Sequence, residues 1–109
     1  MKILASFLLV FFISLDVAAS GYAGYRNIEV IHQRECSTDK GFEIGLASAH
    51  KNPDNCTSAL DIELSCEHPA YQTMVSMILA AKLADKKLDF WLAGCGADGQ
   101  AKVVTVKMQ

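Results

Sequence analysis

The sequence predicts a small, mostly β domain with the element order β-β-β-α-β-β, stapled by two disulfides. Apolar residues alternate with period two in five short segments, the period changes to a helical one between the third and fourth, and four cysteines follow a signal-like N-terminus. In fewer than about 90 residues, this is the order of the OB-fold, a five-stranded, partly open barrel with one helix. A two-layer α+β sheet of the same order is the alternative.

Met1-Lys2 supplies one early positive charge, and Ile3 to Leu15 then runs without another. That is the n-region and h-region of a signal peptide, and Val17-Ala18-Ala19 provides the small residues of a cleavage site. Cleavage is expected after Ala19, with Ala23 as runner-up. The apolar run is about a dozen residues, short of the ~20 needed to span a bilayer, so no stable membrane insertion is expected after processing. The domain is then residues 20–109, secreted or periplasmic. Losing Lys2 and Asp16 leaves the formal charge at -2, without the basic density that nucleic acid demands.

One domain of this size buries too little surface to be stable by its core alone, and disulfides are the usual remedy. Cys36, Cys56, Cys66 and Cys95 are an even set. Zinc is the rival use, with His32, His50 or His68, but neither CxxC nor HxxxH spacing occurs, so no metal site is expected.

The first strand is Arg26 to Arg34, with Ile28, Val30 and His32 alternating with Asn27, Glu29, Ile31 and Gln33. Ser37 to Gly41 is turn chemistry, and Phe42, Ile44 and Leu46 set the inward face of the second strand. Ser48 to Ser58 is a polar loop containing Pro53. In the third strand Leu60, Ile62 and Leu64 point inward, and Asp61, Glu63 and Ser65 outward. Pro69 suits a first helical turn, and Tyr71, Met74, Val75, Ile78, Leu79 and Leu83 form one apolar stripe of a helix ending near Asp85-Lys86-Lys87. Such a stripe reads as core, so no cofactor is assigned to it. Leu88, Phe90 and Leu92 face inward in the fourth strand, leaving Trp91 outward, and the fifth runs Lys102 to Met108. The glycine-rich turn Gly94 to Gly99 between them lacks the phosphate-loop pattern.

Strand direction selects the cysteine pairs. In a barrel of this order, Cys36 and Cys66 both follow parallel strands and meet at one pole, whereas Cys56 precedes the third strand and Cys95 follows the fourth at the other. Cys36 is therefore expected to pair with Cys66, and Cys56 with Cys95.

Among candidate site residues, Trp91 stands first. A tryptophan on an outward strand position stacks on a sugar, a partner or another subunit, unless a bulge turns it into the core. Glu29, Glu43, Asp61, Glu63 and Asp89 fall on outward positions and predict an acidic, solvated face. His50 and His68 read as exposed loop residues, and no histidine is paired with a nucleophile, so no catalytic residue is assigned. Asn55-Cys56-Thr57 matches N-x-T, but its cysteine is claimed by a disulfide.

From Cys56 to Met108, the segments AYQTMVSMILAAKLADKKLDFWLAGC and KVVTVKM resemble the B (binding) subunits of pentameric bacterial exotoxins of the subtilase and pertussis-like group. The resemblance implies an OB-fold, a ring-forming homo-oligomer and recognition of a cell-surface glycan. It carries over no sugar-binding residue, because the first strand holds Ile28, Glu29, His32 and Gln33 rather than aromatics and serines. The expected function is an exported, non-catalytic module that binds a glycan or protein. A monomeric structural or inhibitory protein of the periplasm is the alternative.

Overall fold

The structure, a computed structural model, describes residues 19–37 and 40–109. The expected signal peptide, apart from Ala19, and the turn residues Thr38 and Asp39 lie outside the described residues. Seven elements follow in order: β1 (Ser20–Tyr22), β2 (Ile28–Ser37), β3 (Lys40–Leu46), β4 (Asp61–Leu64), α1 (Tyr71–Leu83), β5 (Leu88–Cys95) and β6 (Ala101–Met108). The strands form one sheet in the order β1-β5-β6-β4-β3-β2. All neighbours are antiparallel except β4 and β6.

The expected β-β-β-α-β-β succession is present with one strand added at its start, making six, and the sheet is not a closed barrel. The extra strand is β1, which pairs along β5 through Ser20↔Ala93, Gly21↔Leu92 and Tyr22↔Trp91. Ala23 N–H continues the ladder to Phe90 O at 2.9 Å, and Arg26 exchanges two 3.0 Å bonds with Leu88. Between them Gly24 takes φ +87°, a left-handed conformation that breaks the strand. Residues 23–27 thus join the two ends of the sheet order, which obliges the sheet to curl.

The core lies on the concave side. Phe90, Ile44, Ile62, Leu64, Ile78, Leu88 and Leu92 are its largest fully buried members. Here β4 and β5 follow the alternation expected of Ile62, Leu64, Leu88, Phe90 and Leu92. The phase fails in β2. A register shift separates Ile28↔Leu46 from Val30↔Gly45, so Ile28 is buried and Ile31 packs on the core while Val30 is 54 % exposed. The extra residue of a bulge reverses every later side chain, which is why Val30 and His32 point away from the core. Leu60 is also exposed rather than inward. It precedes the strand, where Ser58 Oγ accepts from the amides of Leu60 and Asp61.

The helix buries Met74, Ile78 and Ala81, with Tyr71 and Val75 beside them. Leu79 and Leu83, expected in the same stripe, face solvent, and Leu83 is 89 % exposed. Pro69 stands ahead of the helix, since Ala70 is the N-cap. At the other end Lys86 N–H reaches Ala81 O at 2.8 Å and Asp85 takes φ +52°, a left-handed stop. No described helix is long and apolar enough to cross a membrane.

Cys36 is bonded to Cys66 and Cys56 to Cys95, with Cα separations of 5.7 and 5.6 Å. Such bonds persist in oxidising compartments. The first ties the end of β2 to the segment leaving β4, and the second ties the long loop to the end of β5. That loop is ordered by its own side chains. Asn52 receives Cys56 N–H at 3.0 Å and donates to Cys56 O at 2.6 Å, and Asp54 Oδ2 receives Gly94 N–H at 2.6 Å.

The bridges close loops of 30 and 39 residues, so removing either pair as Cys→Ala is expected to cost about 3–4 kcal/mol in the chain-entropy account, read as a lower urea midpoint. The bulge in β2 is tested by a contrast. Ile31→Ala should lower stability clearly, whereas Val30→Thr should stay within about 0.5 kcal/mol in the same measurement. The opposite ranking would restore the unbulged phase.

Candidate functional site

Strand β5 places alternate side chains on opposite sides. Leu88, Phe90 and Leu92 fill the core, which leaves Asp89, Trp91 and Ala93 on the convex face. Trp91 is half-buried there and is not a core residue. Its cross-strand neighbours are Tyr22 on β1 and Thr105 on β6. The Tyr22 and Trp91 rings meet edge to face, centroids 4.7 Å apart at 86°.

Lys107 lies opposite Asp89 on β6. Its Nζ is 3.8 Å from Asp89 Oδ2 and 3.9 Å from the Tyr22 ring centroid, with the Tyr25 centroid at 5.7 Å. Asp89 was expected on an exposed acidic face, yet it is buried. The cause is its partners, for Oδ1 also accepts Gly24 N–H at 2.9 Å. The positive φ at position 24 favours glycine there, whereas a Cβ would meet only the movable end of the Arg26 side chain, at 2.9 Å. The result is a fixed patch of Trp91, Tyr22, Tyr25, Lys107 and Thr105, with aromatic surface and polar tips together. A face of this kind can stack on an apolar surface and orient hydroxyl or amide groups.

A second cluster occupies the same convex side further along the sheet. Glu43 and Glu63 are directly opposite on β3 and β4, and Lys102 is opposite Glu63 on β6. Arg34 bridges Glu43 at 3.4 Å and Asp98 at 2.6 Å, while His32 Nδ1 stands 4.0 Å from Glu43. Glu63 was also expected to be solvated, but it is only 9 % exposed because the central strand and Gly96 enclose it. A Cβ on Gly96 would come within 2.8 Å of its Oε2. That oxygen is buried without a hydrogen-bond partner among the described residues. Burial pushes the Glu63 carboxyl above the ordinary carboxylate range and Asp98 adds to it, against the pull of Arg34 and Lys102, with Glu43 pushing up again.

The remaining expectations divide. Glu29 is exposed, and Asp61 and Glu43 are half-buried. His50 is buried at 5 % exposure rather than in solvent, its Nδ1 donating to Lys51 O at 2.7 Å. His68 is half-buried and its tautomer is fixed. Nδ1 accepts Ala70 N–H at 3.0 Å, so Nε2 carries the proton donated to Val104 O at 2.8 Å. Among the described residues no group of three or more His, Cys, Asp or Glu is arranged to hold a metal ion.

Tyr22, Tyr25 and Lys107 were not legible as site residues. Ser-Gly-Tyr has no alternation to announce a strand, and Lys107 differs from the other lysines only through its register against Asp89. The spacing of Tyr22 and Tyr25 around Ala23-Gly24 was the one local hint. No protein-family model, curated protein or solved structure matches the chain.

Because the folded chain holds the Glu63 proton more tightly than the unfolded chain does, the native state binds more protons just above the ordinary carboxylate pKa. Stability contributed at this group is therefore full at acid pH and declines as pH rises through the raised pKa. Glu63→Gln is expected to remove that decline and to unfold at higher urea than the parent at neutral pH, in midpoints measured across a pH series. An unchanged pH profile would show that the carboxyl titrates normally.

Proposed function

We propose that this chain is an exported, non-catalytic binding module of OB-like build that recognises a glycan through the convex face of β1, β5 and β6. One observation carries the reading: Trp91 lies on the face away from the core, braced edge-on by Tyr22 in a patch held by Lys107 and Asp89. A braced aromatic loses little freedom on stacking against a sugar, which favours binding by preorganisation. The β-β-β-α-β-β succession, the curved sheet and the parallel β4–β6 pairing support the OB-like build. Disulfides and the signal-like N-terminus support export.

Self-association belongs to the same reading. Helix α1 is apolar on more than the side it buries, and Leu79 and Leu83 stand in solvent. A helix of that kind favours a further packing partner, as in a ring of subunits. Light scattering of the oxidised domain is expected to give a multimer, and Leu83→Ser to lower its mass.

The binding test is a saccharide panel read by tryptophan fluorescence, followed by affinity measurement on Trp91→Ala. Loss of at least about tenfold in affinity with a modest change in thermal midpoint is expected, since a stacked aromatic contributes on the order of 1–3 kcal/mol. Collapse of the fold in that variant would assign Trp91 a structural role. Indifference to every saccharide together with capture of a specific envelope protein would favour the periplasmic inhibitor or structural reading.

A further inference from the structure

Strands β4 and β6 run side by side for only two pairs, Ile62↔Ala101 and Glu63↔Lys102. Beyond these the chain after Leu64 leaves toward α1, and His68 takes the carbonyl of Val104. The divergence opens a depression of about 220 Å³ lined by Glu63, Ser65, Ala93, Lys102, Val103 and Val104. Ala93 is two residues along β5 from Trp91 on the same face, roughly 7 Å by strand rise. The depression and the aromatic patch are therefore neighbours on one surface.

We propose that this depression is the subsite for a neutral, hydroxyl-bearing sugar unit, with the Glu63 carboxylate, one of its lining groups, as the acceptor of a sugar hydroxyl. The proposal rests on the reading of the convex face as a glycan surface. Oε2 is sealed beside Gly96 with no donor among the described residues, so the carboxylate's charge is poorly compensated, and a hydroxyl donated to it from the depression offsets part of that cost. Ser65 Oγ already accepts Glu67 N–H at 3.2 Å, which leaves its own hydroxyl proton free to donate. Ala93 and half-exposed Val104 supply an apolar wall for the C–H side of a pyranose.

Charge decides against ionic ligands. Arg34 from β2 is spent on Glu43 and Asp98, so an entering anion faces Glu63, with Glu43 on β3 and Asp98 in the β5–β6 turn behind it. An entering cation meets Lys102 at the wall. A neutral donor satisfies Glu63 without either repulsion. The raised carboxyl pKa is in keeping with a site poor in compensating donors.

The test titrates the oxidised, processed protein with neutral methyl glycosides and with the matching uronates, followed by amide shifts in two-dimensional NMR. Neutral glycosides are expected to move the amides of Ala93, Gly96 and Lys102 together with the Trp91 indole. Glu63→Gln should weaken them by about tenfold or more, in line with loss of a charge-assisted hydrogen bond. Ala93→Phe fills the depression from the neighbouring strand without altering Glu63, and it should weaken the same ligands. Shifts confined to Trp91, with unchanged affinity in both variants, overturn the subsite and leave the glycan surface standing. Tighter binding of uronates than of neutral glycosides overturns the choice of ligand. Absence of any saccharide-dependent shift overturns the subsite and the glycan reading together.

Discussion

Strand β5 is the constraint on which the rest of this structure depends. It pairs on one side with the N-terminal strand β1 and on the other with β6. It sends Leu88, Phe90 and Leu92 into the core at zero exposure. Three fully buried side chains at alternate positions leave the register no freedom, since a slip of one residue would turn Asp89 and Trp91 into the apolar core and Phe90 out of it. Once that register is set, Tyr22 must stand beside Trp91 and Lys107 beside Asp89. The Cys56–Cys95 bond and the Asp54 to Gly94 bond then fasten the far end of the strand to the long loop.

The same geometry explains why two carboxylates on the convex face differ in character. Asp89 and Glu63 are both enclosed, one near the edge of the sheet and one at its centre. Asp89 keeps a backbone donor at Gly24 and a cation at Lys107, which makes it a structural anchor for the aromatic patch. Glu63 faces Glu43 across the ladder and has an oxygen with no donor among the described residues. Burial costs a charge heavily unless hydrogen bonds offset it, so the unbalanced carboxylate is where a ligand has most to contribute.

Legibility followed the length over which a local pattern persists. The alternation in β4 and β5 survives folding because both strands are paired on two sides and send their apolar residues into the core. In β2 the pattern held only until the register shift after Ile28, because a bulge adds one residue and leaves no mark in composition. The helix was clear in position but not in facing. Its apolar residues cover more than half its circumference, so periodicity alone could not tell that Met74, Ile78 and Ala81 are inward and Leu79 and Leu83 outward. Trp91 was readable as outward because it sits between Phe90 and Leu92, whereas its companions come from strands 69 and 16 residues away in the chain.

By itself the sequence determined the succession of strands and helix and the set of core positions on β4 and β5. It also determined which cysteines lie at matching strand ends, because period-two and period-3.6 patterning and chain direction are local properties. Only the tertiary structure decided that Ser20–Tyr22 joins the sheet, that the sheet stays unclosed, and that Glu63 is enclosed without a donor while Asp89 is enclosed with two partners. Those outcomes depend on which strands become neighbours and on how far β4 and β6 run together before they part. Both are set by non-local pairing, for which a single strand's sequence carries no signal.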